Sequence, residues 1–182
     1  KYLLGRHLWN QRTTQSLLDA VAPLKEAVAL DPQYDRAWAA LADTYMLIPE
    51  YRGGEIKEYI PLAREAAERA MALNPDSARA LTTLANIKAQ YEYDFAGANA
   101  DFARAIELEP GYATAHQWYS EILAAQRRLD EALEQADLAV EADPRSVIVA
   151  NAKGLALQFL GRLDEAAALF QAARILDPQA PQ

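Results

Sequence analysis

The side chains in this sequence with chemistry to offer are two histidines, His7 and His116, the tryptophan Trp118, and the spaced arginines Arg6, Arg36 and Arg79. A histidine titrates near neutrality and can act as a base or a metal ligand. Here each stands apart, His7 beside Trp9 and His116 far downstream. No Ser/His/Asp order, glycine-rich phosphate loop or metal-ligand spacing accompanies them. A histidine at an inward helical position packs and hydrogen-bonds as core more often than it binds a ligand, and His116 holds such a position. Gly53-Gly54 is too short for a phosphate cradle and reads as a turn. Asp130-Glu131 and Asp164-Glu165 stand where helices begin, so capping and the helix dipole account for them, with Asp130 and Asp164 the expected caps. No catalytic residue, metal or cofactor is expected. Recognition chemistry remains: arginine offers a carboxylate a planar fork, and tryptophan offers a large apolar anchor.

A repeating unit positions these residues. In 113–144, two apolar-periodic helices face each other across a short polar turn and close on Asp-Pro. Residues 161–178 repeat the second half of that unit almost residue for residue. Pro32, Pro75, Pro110, Pro144 and Pro178, each after Asp, Asn or Glu, mark the unit ends at spacings of 43, 35, 34 and 34 residues. Proline disfavours helical geometry in the residue before it, so each marker ends an alanine-rich helix. Helix pairs on a 34-residue period form a stacked array, because no single pair can bury its own apolar face.

The chain is 182 residues with a net charge of −8 and no cysteine. That charge disfavours direct nucleic-acid binding, and disulfides and thiolate metal sites are excluded. No apolar run approaches the roughly 20 residues a membrane helix needs. The sequence opens at Lys1 in mid-pattern, so it reads as a piece of something longer.

The unit resembles the tetratricopeptide repeat. Trp38, Leu41, Ala42 and Tyr45 match its first helix best, and Leu4, Gly5 and Leu8 match in the opening unit. Second-helix positions are kept by Ala20, Leu24 and Ala27, by Ala98, Phe102 and Ala105, and by Ala166, Phe170 and Ala173. The resemblance implies an all-α fold, a right-handed superhelical solenoid of about five helix pairs in one domain over 1–182. The repeats are 1–32, 35–75, 78–110, 113–144 and 147–178. Turns are expected near 11–15, 48–60, 91–95, 126–130 and 160–164, with 48–60 as an insertion carrying Gly53-Gly54 and Pro61 following it near the start of the next helix. Asp94 is the expected cap of the third repeat's second helix. Trp38 and Tyr45 are expected in the core, and Tyr91, Tyr93 and Phe95 against the insertion. Stretches 4–13, 39–45, 93–97 and 111–120 further resemble the C-terminal repeat arrays of bacterial multidomain transcriptional and signalling regulators.

The resemblance also implies a function: a non-catalytic scaffold that grips a protein or peptide along a groove lined by first helices. The groove positions are Tyr2 and Arg6 in the first repeat; Arg36, Ala39, Ala40 and Asp43 in the second; and Arg79, Thr82, Thr83 and Asn86 in the third. Thr114, Gln117, Trp118 and Glu121 follow in the fourth, with Ile148, Asn151, Ala152 and Leu155 in the fifth. The lysines and asparagines of the family's chaperone-tail clamp are missing apart from Asn86, so that specificity is rejected. A segment with an acidic residue beside an apolar or aromatic one is expected instead. Two alternatives stay open: the arginines pair with carboxylates of the chain itself, and Trp118 packs inward. A different reading is a sensory or regulatory domain that binds a small ligand or mediates oligomerisation. Self-association through an uncapped last helix, open around Leu169, Ala173 and Leu176, is expected too. The expected compartment is the cytoplasm, or the periplasm if a membrane helix lies upstream.

Overall fold

A computed structural model describes residues 1–176, Leu176 by its backbone alone. Among these residues there are ten α-helices and one π-helical turn, and no strand. The helices are α1 (Tyr2–Asn10), α2 (Thr14–Leu30), α3 (Asp35–Arg52), α4 (Ile56–Leu73), α5 (Ala78–Ile87) and α6 (Phe95–Leu108), then α7 (Ala113–Ala125), α8 (Leu129–Ala142), α9 (Val147–Phe159) and α10 (Leu163–Leu176). The π-helical turn Lys88–Glu92 joins α5 to α6. None of the described helices is long and apolar enough to cross a membrane.

The helices gather into two compact units, one over Lys1–Leu108 and one opening at Glu109. In the first unit each helix packs on the next, and α3 also packs on α1 and α5. The first helices of three repeats therefore share one face. In the second unit α7 through α10 pack in sequence and α7 also meets α9. Alanine allows these close approaches: Ala20, Ala63, Ala67, Ala70, Ala98, Ala105, Ala132, Ala136 and Ala139 are all fully buried. The larger buried side chains Leu17, Leu24, Met46 and Phe102 fill the space between helices.

Local signals set most boundaries. Thr13 and Ser16 form a reciprocal capping box at the start of α2, the Ser16 amide donating to Thr13 Oγ1 at 3.1 Å and the Thr13 amide to Ser16 Oγ at 3.1 Å. Ser77 and Ser146 cap α5 and α9. Asp94 takes its expected place, its Oδ1 accepting from the Gly97 amide at 2.9 Å. Asp130 and Asp164 do not cap: both lie inside the first turn of their helices. An Arg-Leu-Asp-Glu tetrapeptide stands at both helix starts, and its first and last side chains pair. Arg128 Nε and Nη2 reach the two carboxyl oxygens of Glu131 at 2.8 and 2.5 Å, and Arg162 reaches Glu165 at 2.7 and 2.6 Å. Those two-pronged bonds hold Glu131 and Glu165 below the usual carboxylate range.

The expected break at 48–60 contracts to Gly53–Glu55. α3 runs on through Pro49 and α4 starts before Pro61, so the extra residues lengthen both helices. Each proline forfeits one backbone hydrogen bond, and burial of Met46, Leu47, Ile48, Pro49 and Ile60 offsets that loss. Gly53 and Gly54 turn the chain at φ 79° and 99°, a region that favours glycine. Other expectations change as well. Trp38 is only half-buried and donates its indole N–H to the Pro32 carbonyl at 3.1 Å. Tyr93 and Phe95 are exposed, and Tyr91 comes near the insertion, close enough to feel the charge of Glu50. On the last helix Ala173 is buried, contrary to expectation, and Leu169 half-buried, while Leu163 and Ile175 are exposed. The side chain of Leu176 falls outside the described residues.

Candidate functional site

On the shared face of the first unit, residues seven apart on α3 make a line: Arg36, Asp43 and Glu50. Seven residues are about two helical turns, roughly 10 Å. α1 contributes Tyr2, Arg6 and Trp9 beside this line, and α5 contributes Arg79, Thr83 and Asn86.

Asp43 is the hub of one half. Its side chain is wholly buried, and three long-range partners meet it: Arg6 Nη1 at 3.2 Å and Arg79 Nη1 at 3.9 Å from Oδ2, and the Thr83 hydroxyl donating to Oδ1 at 2.8 Å. Two guanidinium charges share one carboxylate, so the triad carries a net positive charge, and both arginines keep part of their surface in solvent. Arg36, a further two turns toward the start of α3, is exposed. Next to it the rings of Tyr2 and Tyr34 pack 5.1 Å apart, both half-buried.

The other half collects three departures from the regular repeat. The α1–α2 turn holds Arg12 at φ 50°, a conformation that disfavours side chains, with its guanidinium carbon 3.7 Å from the centre of the Trp9 ring. Arg6 lies 4.3 Å from the same ring. The extension of α3 delivers Glu50, and the π-helical turn delivers Gln90. Gln90 Nε2 donates to Asn86 Oδ1 at 2.8 Å and reaches Glu50 Oε1 at 3.5 Å. Glu50 stays exposed, yet the protein around it desolvates the carboxyl and raises its pKa, against weaker lowering by Gln90 and Arg12. π-turns inside helices recur at functional positions.

The sign of the Glu50 effect can be measured. A carboxyl whose folded pKa is raised binds its proton more tightly in the folded state, so stability declines as pH rises from the ordinary carboxylate range through the raised value. The titratable groups facing it are Arg12 from the α1–α2 turn and Tyr91 from the π-turn. Glu50→Gln should therefore gain on the wild type in thermal melts as pH rises from the ordinary carboxylate range to neutrality. A gap that instead moves toward the wild type means that Arg12 outweighs desolvation.

The expected groove residues thus divide. Arg6, Arg36, Asp43, Arg79, Thr82 and Asn86 come together with Tyr2 on one face, but Asp43, Thr82 and Asn86 are buried, Asp43 as the hub of the ion pairs and Asn86 as the acceptor for Gln90. Thr82 donates to the Ala78 carbonyl of its own helix at 2.8 Å. In the second unit Gln117 is buried and donates to Glu121 Oε1 at 3.0 Å, while Asn151 is half-buried and Leu155 exposed. Trp118 is only 2% exposed, so it packs inward and offers no anchor at the surface. His116 is a buried, hydrogen-bonded core histidine: Nε2 lies 2.9 Å from the Pro110 carbonyl and Nδ1 2.8 Å from Gln135 Oε1. His7 is exposed and meets Gln11 at 3.2 Å. Sequence reading missed Trp9, Arg12, Glu50 and Gln90; the 43-residue spacing of the second repeat was the signal for Glu50.

Two models of the tetratricopeptide repeat match residues 89–156 and 139–181, together just over half of the 182 residues. The transcriptional regulator HilA of Salmonella typhimurium is 28% identical over 143 residues, which are 79% of this chain and 26% of HilA. The chain thus spans about a quarter of that relative's length. Among solved structures, TTC0263, a thermophilic TPR protein of Thermus thermophilus, superposes with a TM-score of 0.75 at 20% identity, over 98% of this chain and 90% of its own. YrrB, described as a TPR protein with an unusual peptide-binding site, gives 0.56 at 22% identity, over 91% and 80%. At such identities the structural likeness speaks for the fold.

Proposed function

The chain belongs to the tetratricopeptide repeat family, and from that premise we propose that it is a non-catalytic interaction module that holds a partner segment on the α1/α3/α5 face. Proteins of this family mediate protein–protein interaction in general. The observation that carries the reading is the net positive charge of the Arg6–Asp43–Arg79 triad, with exposed Arg36 two turns away on the same line. A carboxylate of the segment binds at these arginines, since guanidinium offers it charge-assisted hydrogen bonds. Tyr2 and Tyr34 supply the apolar or aromatic contact beside it, in the role expected of Trp118. YrrB, with its peptide-binding site, lends the reading a parallel.

A second reading draws on HilA: the module is the regulatory part of a larger transcriptional regulator, and the segment it holds belongs to that regulator or its effector. Both readings use the same face, so one experiment addresses it. A random dodecapeptide library selected on the wild-type chain should enrich Asp or Glu next to Phe, Tyr, Trp or Leu. Arg36→Ala, at an exposed position, should weaken the enriched peptides about tenfold, the worth of one charge-assisted hydrogen bond. Affinity unchanged in Arg36→Ala and in Tyr2→Ala would remove this face from consideration.

A further inference from the structure

We propose that the same face carries a second, opposite subsite centred on Glu50, so that the bound segment is bipolar, with a Lys or Arg about 10 Å from its acidic residue where the Asp43 triad holds that residue and about 20 Å from it where Arg36 does. The proposal rests on the reading above and deepens it. Asp43 and Glu50 stand seven residues apart on one helix face, but their surroundings differ in sign. Asp43 is enclosed by two arginines and a threonine hydroxyl. Glu50 is exposed, and Gln90 reaches it only through a long 3.5 Å contact.

Arg12 is the cation nearest to hand, and its position decides the matter. Its side chain is buried on the Trp9 ring at 3.7 Å, where the ring face favours a cation. With Arg12 held on that ring, the exposed Glu50 carboxylate meets the neutral Gln90 amide at 3.5 Å, which leaves its charge incompletely balanced. An arriving ammonium or guanidinium completes that balance. Three independent irregularities converge there: left-handed Arg12, the proline-containing extension of α3 and the π-turn carrying Gln90. The parallel α1, α3 and α5 add to the polarity. Their N-terminal ends, near Arg36 and Arg79, favour an acidic group, and their C-terminal ends, near Glu50, favour a basic one.

The span sets the sequence pattern. About 10 Å corresponds to residues three apart in an extended segment or seven apart in a helical one, and about 20 Å to residues six apart in an extended segment. The dodecapeptide selection should therefore return, besides the acidic residue, a Lys or Arg at one of those spacings. For an enriched peptide, Glu50→Lys should weaken binding tenfold or more and Glu50→Gln less. The same peptide with its basic residue changed to Glu should bind Glu50→Lys better than it binds the wild type. Peptides that lose affinity with Arg36→Ala but are indifferent to Glu50→Lys overturn the second subsite and leave the interaction face standing. Peptides indifferent to both, or no enrichment at all, overturn both.

Discussion

Removing Arg6 and Arg79 together should cost about 3 kcal/mol of stability, more than the sum of the two single replacements. Asp43 is wholly buried and both guanidiniums approach its Oδ2. Breaking a buried charge pair from one side costs about 3–5 kcal/mol, because the remaining charge stays desolvated. The lower end applies here, since Thr83 still donates to Oδ1 at 2.8 Å and the arginines keep partial contact with water. Either arginine alone still neutralises the carboxylate, so Arg6→Ala and Arg79→Ala should each lose about 1 kcal/mol. Urea denaturation of the four members of the cycle measures this coupling. Asp43→Asn in the doubly replaced background is the control: it removes the stranded charge and should recover most of the loss. Additive single effects with no recovery would show that the arginines act by packing. The consequence for binding studies is direct. Arg6 and Arg79 hold the face together as well as charging it, so affinity changes at exposed Arg36 are the cleaner readout.

This dual role explains what the sequence made legible. The helix pairs, their period and most turns follow from proline markers and alanine spacing, which are local signals. Asp94 was readable because an Asp before a glycine-containing first turn has one good acceptor geometry. Asp130 and Asp164 misled because the helices begin one residue upstream, at Leu129 and Leu163, which puts each aspartate inside the first turn. Pro49 and Pro61 suggested a loop, yet burial on both flanks outweighed one lost hydrogen bond each. Trp118 was ambiguous for another reason. α7 buries Thr114, Ala115, His116, Gln117, Trp118, Ser120, Ile122 and Leu123, nearly its whole circumference, so periodicity could not select a face. The Asp43 triad joins residues 37 and 36 positions apart. Arginines at groove positions could be named from the repeat frame, but nothing local says that two of them share a carboxylate.

Gly5→Ala should cost about 2 kcal/mol, while the equivalent change at Gly154 should be close to neutral. Both glycines lie in first helices where the second helix of the pair presses closest, and both would gain helix propensity of about 1 kcal/mol as alanine. A Cβ on Gly5 would sit 2.4 Å from Leu24 Cγ and 2.6 Å from its Cδ2. Leu24 is fully buried, so its branch has nowhere to turn, and α1 must move off α2. Overpacking of this kind costs about 1–3 kcal/mol and wins over the propensity gain. A Cβ on Gly154 would meet Phe170 just as closely, 2.3 Å from Cε1 and 2.5 Å from Cζ. Phe170, however, is only half-buried, and its ring can swing outward by a rotation that keeps much of its contact. The clash there is relieved by a side chain, and the propensity gain offsets the remainder. Leu24→Ala supplies the cross-check. Alone it opens a cavity and should lose about 3 kcal/mol, but with Gly5→Ala in place the new methyl enters that cavity, so the pair should lose less than the sum. Equal losses at Gly5 and Gly154, or strict additivity at Gly5 and Leu24, would mean that backbone movement, not side-chain room, sets the tolerance of these helix pairs.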